Sequence, residues 1–168
     1  MDDEAFSIAA DSLLSKDSFL YFTSTNQTAK KAVEILYRAK AGFLKLNPTE
    51  KMNLAAAFAK KGKTVYGRAF DLVKCKKKVN FMNQSKLELK LGSVVVYEVK
   101  STKRKDLSKS FEPYFFDLTT SEFLVAQSLG EQFKFVFVNI RTKQYVEMTL
   151  REVLAKARKL YPKWTVSF

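Results

Sequence analysis

The chain has 168 residues, of which 46% are hydrophobic, and a net charge of +13. This length and apolar content suit one domain with a buried core. The chain has no run near 18 apolar residues, so we expect no membrane-spanning helix. The single cysteine excludes an intramolecular disulfide and the absence of histidine excludes Ser-His-Asp hydrolysis, so chemistry on phosphates would depend on carboxylates, lysines and a hard ion such as Mg²⁺.

The N-terminal part of the chain carries helical patterns. It begins with an acidic segment, Asp2–Glu4, which is the opposite of a secretory signal. We therefore expect a cytoplasmic protein, or one of the nucleoid or a nucleus. Apolar residues at helical spacing predict helices over residues 3–14 and 26–41, and the aromatic-rich stretch 17–24 between them is ambiguous.

A better-marked helix follows Asn47, a natural N-cap with Pro48 at the first helical position and Glu50 at the third. We predict that this helix ends before Gly62. Residues 43–46 link this helix to the preceding one, and the link has the length found in a helix-turn-helix. Plain packing of the two helices is the favoured interpretation.

The pattern changes to strands after Gly62, with Gly92 as a tight turn between two of them. The strands are predicted over residues 64–73, 86–91, 93–100, 115–118, 133–140 and 144–148, with a candidate last strand over 164–168. The segment 93–100 is rich in valine, as expected of a central strand that is buried on both faces.

Two capping boxes predict further helices over residues 119–129 and 149–160. The order of elements predicts an α/β (α+β) fold with a central mixed sheet flanked by helices. We assign residues 1–62 to a helical N-terminal part that packs on the core, and residues 63–168 to the core itself.

The positive charge is concentrated in residues 60–109, which hold 15 basic and 4 acidic residues, a surplus of +11 out of +13. Most of it lies in two basic loops, the first at Lys74–Lys78 and the second at Lys103–Lys109. We predict that they bind the phosphates of nucleic acid, DNA rather than RNA, in a salt-sensitive way. The predicted contacts are Lys74, Lys76, Lys77, Lys78, Lys103, Arg104, Lys105 and Lys109. The alternative is a lysine surface that is merely solvated.

The carboxylates within this basic region are the exceptions that indicate chemistry. Glu98 lies in a run of valines, where a carboxylate is costly to bury unless it is paired or bound to a metal. Lys100 projects from the same face of the predicted strand, because it is two residues further on. On this E-x-K spacing alone, a same-face ion pair without chemistry is the favoured interpretation. Asp71 also lies among apolar residues, on an earlier strand, and two neighbouring strands could bring it to Glu98.

The segment Tyr97–Thr102 (Tyr-Glu-Val-Lys-Ser-Thr), with Asp71 before it and Phe116–Glu122 after it, resembles the PD-(D/E)XK nuclease superfamily, in a subgroup with an E-V-K-S-T strand. The resemblance covers residues 64–140 and implies a restriction-endonuclease-like core. It departs from the superfamily pattern at Phe70, which stands where a proline is usual.

By this resemblance, Asp71 and Glu98 would bind Mg²⁺ (or Mn²⁺) and the backbone carbonyl of Val99 would complete the metal site. Lys100 would act on the attacking water. Some members also use a glutamate on the first core helix, for which Glu34 is a candidate and Glu50 an alternative that helix capping alone explains.

The function expected from these observations is a metal-dependent nuclease, or a nuclease subunit, that hydrolyses phosphodiester bonds in a homodimer or a larger complex, with no membrane partner. Two alternatives stay open. The first is a non-catalytic nucleic-acid-binding module of the same fold, and the second is a protein-interaction domain that docks on an acidic partner.

Overall fold

The computed structural model describes residues 16–66, 69–105 and 114–161, with side chains described from residue 27 onwards. The predicted helix over residues 3–14 and the candidate last strand over 164–168 lie outside the described residues. Lys109 of the second basic loop lies outside them as well.

Five strands of the described residues form one mixed sheet in the order β1-β2-β3-β4-β5. The strands are β1 (Phe43–Leu44), β2 (Leu72–Cys75), β3 (Val94–Thr102), β4 (Phe133–Asn139) and β5 (Tyr145–Met148). Strands β3 and β4 are parallel, and the other neighbouring pairs are antiparallel.

Five α-helices accompany the sheet in the described part of the chain. They are α1 (Lys16–Arg38), α2 (Pro48–Ala59), α3 (Gln84–Lys90), α4 (Thr120–Leu129) and α5 (Leu150–Lys156). Helix α4 lies in the connection between β3 and β4, so it is the crossover that a parallel pair of strands requires.

The sheet separates two hydrophobic cores, and β3 contributes to both. Its residues Val94 and Val96 pack in the larger core, which includes buried residues of α2, α3, α4 and α5. Its residues Tyr97 and Val99 pack on the opposite face, where α1 supplies Ala32 and Leu36. The valine-rich segment is therefore a central strand that is buried on both faces, as predicted.

The α/β (α+β) class with a central mixed sheet is confirmed, and several local predictions are confirmed with it. Helix α2 begins at Pro48 with the predicted N-cap, whose side chain accepts from the backbone N of Glu50. Capping boxes also open α4 and α5. The restriction-endonuclease-like core is a finer assignment and stays a prediction, as does the domain boundary at residue 62.

The strand predicted over residues 86–91 is wrong, because this segment belongs to helix α3 and a short 3-10 turn, Leu91–Ser93. The Asn83 side chain accepts from the backbone N of Lys86 and caps the helix. Leu87 is fully buried while Leu89 is 87% exposed, so the two leucines do not share a face as they would in a strand.

Other predicted boundaries are also wrong. Strand β2, Leu72–Cys75, overlaps the strand predicted over residues 64–73 only at its last two residues, and residues 114–119 have no regular structure. Helix α1 ends at Arg38, where Lys40 (φ 51°) and Gly42 (φ 81°) turn the chain away from helical geometry. Helix α5 stops at residue 156 rather than 160.

The link between α1 and α2 forms an edge strand instead of the tight turn of a helix-turn-helix. Phe43 pairs with Lys74 and Leu44 with Val73, which places β1 at the edge of the sheet. The two helices lie on opposite faces, since α1 contributes to one core and α2 to the other. The link therefore carries the chain around the sheet edge.

Candidate functional site

The structure brings together the three side chains that the sequence predicted as one site. Glu98 and Lys100 project from the same face of β3, with Lys100 Nζ 3.3 Å from Glu98 Oε1. Asp71 precedes β2, where its carboxylate Oδ2 accepts from the backbone N of Val99 at 3.0 Å. A further bond, from the Asp71 N to the Tyr97 carbonyl, holds this carboxylate beside the strand.

Glu122 completes the group from the start of α4. Lys100 Nζ donates to both of its carboxylate oxygens at 2.8 Å. The same carboxylate also accepts from the backbone N of Thr119, as the capping box requires. Glu122 is only 6% exposed, so its ion pair with Lys100 is buried and links the crossover helix to the central strand.

The pKa of Glu98 is raised well above its usual range. Burial is the largest cause, and the nearby Asp71 carboxylate adds to it, while the Lys100 ammonium opposes the shift. Glu122 contributes in the same direction as Asp71, through its charge and a hydrogen bond. Burial and the neighbouring carboxylates therefore favour the neutral, protonated form of the Glu98 carboxyl.

Lys51, near the start of α2, approaches the carboxylates from the side. Its Nζ donates to the Phe70 carbonyl at 2.6 Å and lies 4.6 Å from the centre of the Phe70 ring. Burial lowers the pKa of Lys51, and the charges of Asp71 and Glu98 oppose this shift. We call Lys51, Asp71, Glu98, Lys100 and Glu122 the carboxylate cluster. Its two ammonium groups face three carboxylates, and the raised pKa of Glu98 lessens the negative charge that they leave over.

The carboxylate cluster offers oxygen donors of the kind that Mg²⁺ prefers, and Mg²⁺ is often held by one or two carboxylates and waters. Among the described residues, however, no group of three or more His, Cys, Asp or Glu is placed to hold a metal ion. One oxygen of Asp71 is already bonded to the Val99 N, and Lys100 lies against Glu98. Mg²⁺ (or Mn²⁺) held by Asp71, Glu98 and the Val99 carbonyl stays a prediction.

Glu34 does not join this cluster. It lies on α1, on the opposite face of the sheet from Glu98, and pairs with Arg38 one helical turn away at 2.6 Å. The pair is exposed on both sides, with side-chain exposures of 58% and 78%. The structure therefore gives Glu34 no part in the site.

The first basic loop divides into one half-buried and three exposed lysines. Lys74 lies on β2, where its Nζ is 2.5 Å from Glu147 Oε1 and 3.9 Å from the centre of the Phe43 ring. This lysine is engaged within the sheet. Lys76, Lys77 and Lys78 are exposed, and their ammonium groups have no ion-pair partner among the described residues.

The second basic loop lies at the other end of the sheet. Lys103, Arg104 and Lys105 follow the end of β3 and are exposed, whereas the first loop lies beside its start, because the Lys76 N donates to the Ser93 carbonyl. The backbone of Arg104 is fixed by Asn139, whose amide donates to its carbonyl at 2.9 Å. The nine residues of β3 separate the two loops by about 26 Å, at about 3.3 Å per residue.

Sequence reasoning left two members of the carboxylate cluster, Glu122 and Lys51, out of the predicted site. The capping role of Glu122 was sufficient to explain it, but a crossover between parallel strands begins where the first strand ends. That rule places the start of α4 near Lys100. Lys51 left no signal in the sequence, because its proximity to Asp71 depends on how α2 packs on the sheet.

Comparisons with known proteins define the class of this chain. Residues 1–96 match the family model described as the SMC proteins Flexible Hinge Domain, which covers more than half of the chain. The chain belongs to this family of hinge domains. No curated protein and no solved structure gives a match. Among the described helices, none combines the length and apolar character that a membrane crossing requires.

This family membership corrects the assignment made from the sequence. The resemblance to PD-(D/E)XK nucleases, and with it the interpretation as a metal-dependent nuclease or hydrolase, is wrong. A hinge domain is a module for dimerisation and protein interaction rather than an enzyme. The E-x-K pattern misled because a short pattern of this kind also arises where a buried strand carries an ion pair, which is what Glu98, Lys100 and Glu122 form.

Proposed function

We propose that this chain is a non-catalytic interaction module, which joins a homodimer or a larger complex and binds nucleic acid, DNA rather than RNA, through its lysine-rich surface. The observation that carries the proposal is the set of exposed lysines at residues 76–78 without ion-pair partners among the described residues. Unpaired like charges repel one another in the free protein, and an anionic partner relieves that repulsion.

Membership of a hinge family supports the association part of the proposal, since such domains mediate dimerisation and can bind DNA. In this proposal the carboxylate cluster has a structural role. Its charges are offset within the group, so we assign it to holding α2, β2, β3 and α4 together rather than to chemistry on a substrate.

Two measurements on the full chain test the proposal. Fluorescence anisotropy with labelled DNA and RNA of the same sequence, over a series of salt concentrations, should show binding that weakens steeply as salt increases. Light scattering coupled to size exclusion should give a mass of at least two chains. Absence of binding at low salt to both nucleic acids, together with tight binding to an acidic polypeptide, would support the alternative of a docking domain for an acidic protein.

A further inference from the structure

We infer, on the basis of the proposed nucleic-acid binding, that the end of the sheet where β3 begins binds the phosphate backbone of a duplex and does not read its sequence. Three segments supply the surface: the C-terminal end of α2 and the residues after it, the loop after β2, and helix α3. We call it the basic end, and it consists of Lys60, Lys61, Lys63, Lys76, Lys77, Lys78, Lys86 and Lys90.

Contacts between the three segments place these lysines at one end of the molecule. Lys90 Nζ donates to the carbonyl of Lys78 at 2.8 Å, which joins α3 to the loop after β2. Lys60 Nζ lies 2.6 Å from Glu88 Oε1, which joins the end of α2 to α3. The three segments that carry the lysines therefore lie side by side although they are separate in the sequence.

A third contact fixes this surface to the sheet. Lys63 Nζ bonds to Gln132 Oε1 at 3.3 Å, and the Gln132 amide donates to the carbonyls of Leu91 and Val94 at the start of β3. The basic end is thus built on the strand beginnings, not on a free tail.

The charge of the basic end is almost entirely uncompensated within its own segments. Residues 60–63, 76–78 and 84–90 contain eight lysines and one carboxylate, Glu88, which is engaged by Lys60. A surface with this excess and with fixed positions favours a partner whose negative charges are regularly spaced, as they are along a nucleic-acid backbone.

The loop that presents Lys76–Lys78 is held in place before any partner arrives. The Asn53 amide of α2 donates to the carbonyl of Phe81 at 2.9 Å, and the Phe81 ring is buried in the larger core. Asn83 then caps α3. The other side is held by the pairing of Cys75 with Val94 and by the Lys76 N, which donates to the Ser93 carbonyl. Because the loop is anchored on both sides, little ordering entropy opposes binding.

The side-chain chemistry of these segments selects the duplex backbone over the other parts of a nucleic acid. Residues 60–63, 76–78 and 84–90 contain no arginine, which is the side chain that most often reads guanine by a paired contact. They also contain no Phe, Tyr or Trp, on which the bases of a single strand would stack. Lysine ammonium groups remain, and these bind phosphates as point charges.

Anisotropy titrations of the full chain test this surface, with two short labelled duplexes of unrelated sequence and one of their single strands. The variant Lys76→Gln/Lys77→Gln/Lys78→Gln removes three charges from the basic end. We expect it to weaken duplex binding about tenfold or more, and to lower the slope of log affinity against log salt by about 2.7, at about 0.9 per phosphate contact. Both duplexes should bind wild type equally and more tightly than the single strand.

The matched control, Lys30→Gln/Lys31→Gln/Lys40→Gln, removes three exposed charges from α1 and the turn after it, and we expect wild-type affinity. Lys103→Gln/Lys105→Gln tests the opposite end of the sheet. If this double variant weakens binding and the triple variant at 76–78 does not, the inference that the basic end binds the duplex is wrong. Tighter binding of the single strand would contradict it too. In both cases the proposed binding of nucleic acid would stand. If wild type binds neither form at low salt, the proposed function fails as well.

Discussion

Lys100 and Glu122 are 22 positions apart in the chain, yet the Lys100 ammonium lies 2.8 Å from both oxygens of the Glu122 carboxylate. The pair joins the central strand β3 to the first turn of α4, and both side chains are largely buried. Lys100 also faces Glu98, so one ammonium group serves two carboxylates. Its removal should therefore affect more than one contact.

We expect Lys100→Met to lower the free energy of unfolding by about 3 kcal/mol, because it leaves buried carboxylates without their counter-charge. Chemical denaturation followed by circular dichroism measures this loss. Lys103→Met, which alters an exposed lysine three residues later, is the matched control and should change the free energy of unfolding by less than about 0.5 kcal/mol. Equal stabilities of the two variants would contradict a structural role for Lys100.

Stability should fall as pH rises, because of Glu98. The folded protein holds a proton on Glu98 that the unfolded chain releases above about pH 4.3, since the folded-state pKa is raised. The Glu98 contribution to the free energy of unfolding therefore declines from the unfolded-state pKa up to the folded-state pKa, by at most about 1.4 kcal/mol per pH unit.

Glu98→Gln removes this proton exchange and keeps the shape of the side chain. We expect the variant and wild type to be similarly stable near pH 4, and the variant to become the more stable of the two as pH increases. Denaturation curves between pH 4 and pH 9 measure the difference, with the exposed Glu34→Gln as control. Wild-type and Glu98→Gln stabilities that stay parallel over this range would show that Glu98 is ionised in the folded protein.

Binding of Mg²⁺ to the carboxylate cluster is tested most directly by the effect of the ion on thermal stability. If Asp71 and Glu98 hold the ion, adding Mg²⁺ should raise the Tm of wild type, and more at alkaline pH, where the cation competes with the proton on Glu98. Asp71→Asn should lose this increase, whereas Glu34→Gln should keep it. A Tm that does not change with Mg²⁺ at either pH would contradict the prediction that the cluster binds the metal.

The sequence predicted those parts of the fold that depend on local signals. Asn47, Thr119 and Thr149 marked the starts of three helices, since an N-cap satisfies backbone groups within the same turn. The apolar run at Val94–Tyr97, which continues with Val99 after Glu98, predicted the central strand for a similar reason, because a strand covered on both faces has few polar positions.

Features that depend on tertiary packing were not predictable in the same way. The proximity of Lys51 to Asp71 follows from the placement of α2 on the sheet, and the separation of the two basic loops follows from the antiparallel pairing of β2 with β3. The strand prediction for residues 86–91 was wrong for a different reason. Its alternation of leucine with charged residues fits a half-buried strand, but a capped helix with one buried leucine fits it equally well.

The two leucines of that segment give a direct test of helix α3. Leu87 is fully buried in the larger core and Leu89 is 87% exposed, although a strand would place both on one face. Leu87→Ala should lower the free energy of unfolding by about 2–5 kcal/mol, because it removes buried methyl groups and leaves a cavity. Leu89→Ala is the matched control and should change it by less than about 0.5 kcal/mol. Urea denaturation of both variants decides the matter: comparable losses would mean that the two side chains are buried on one face of a strand.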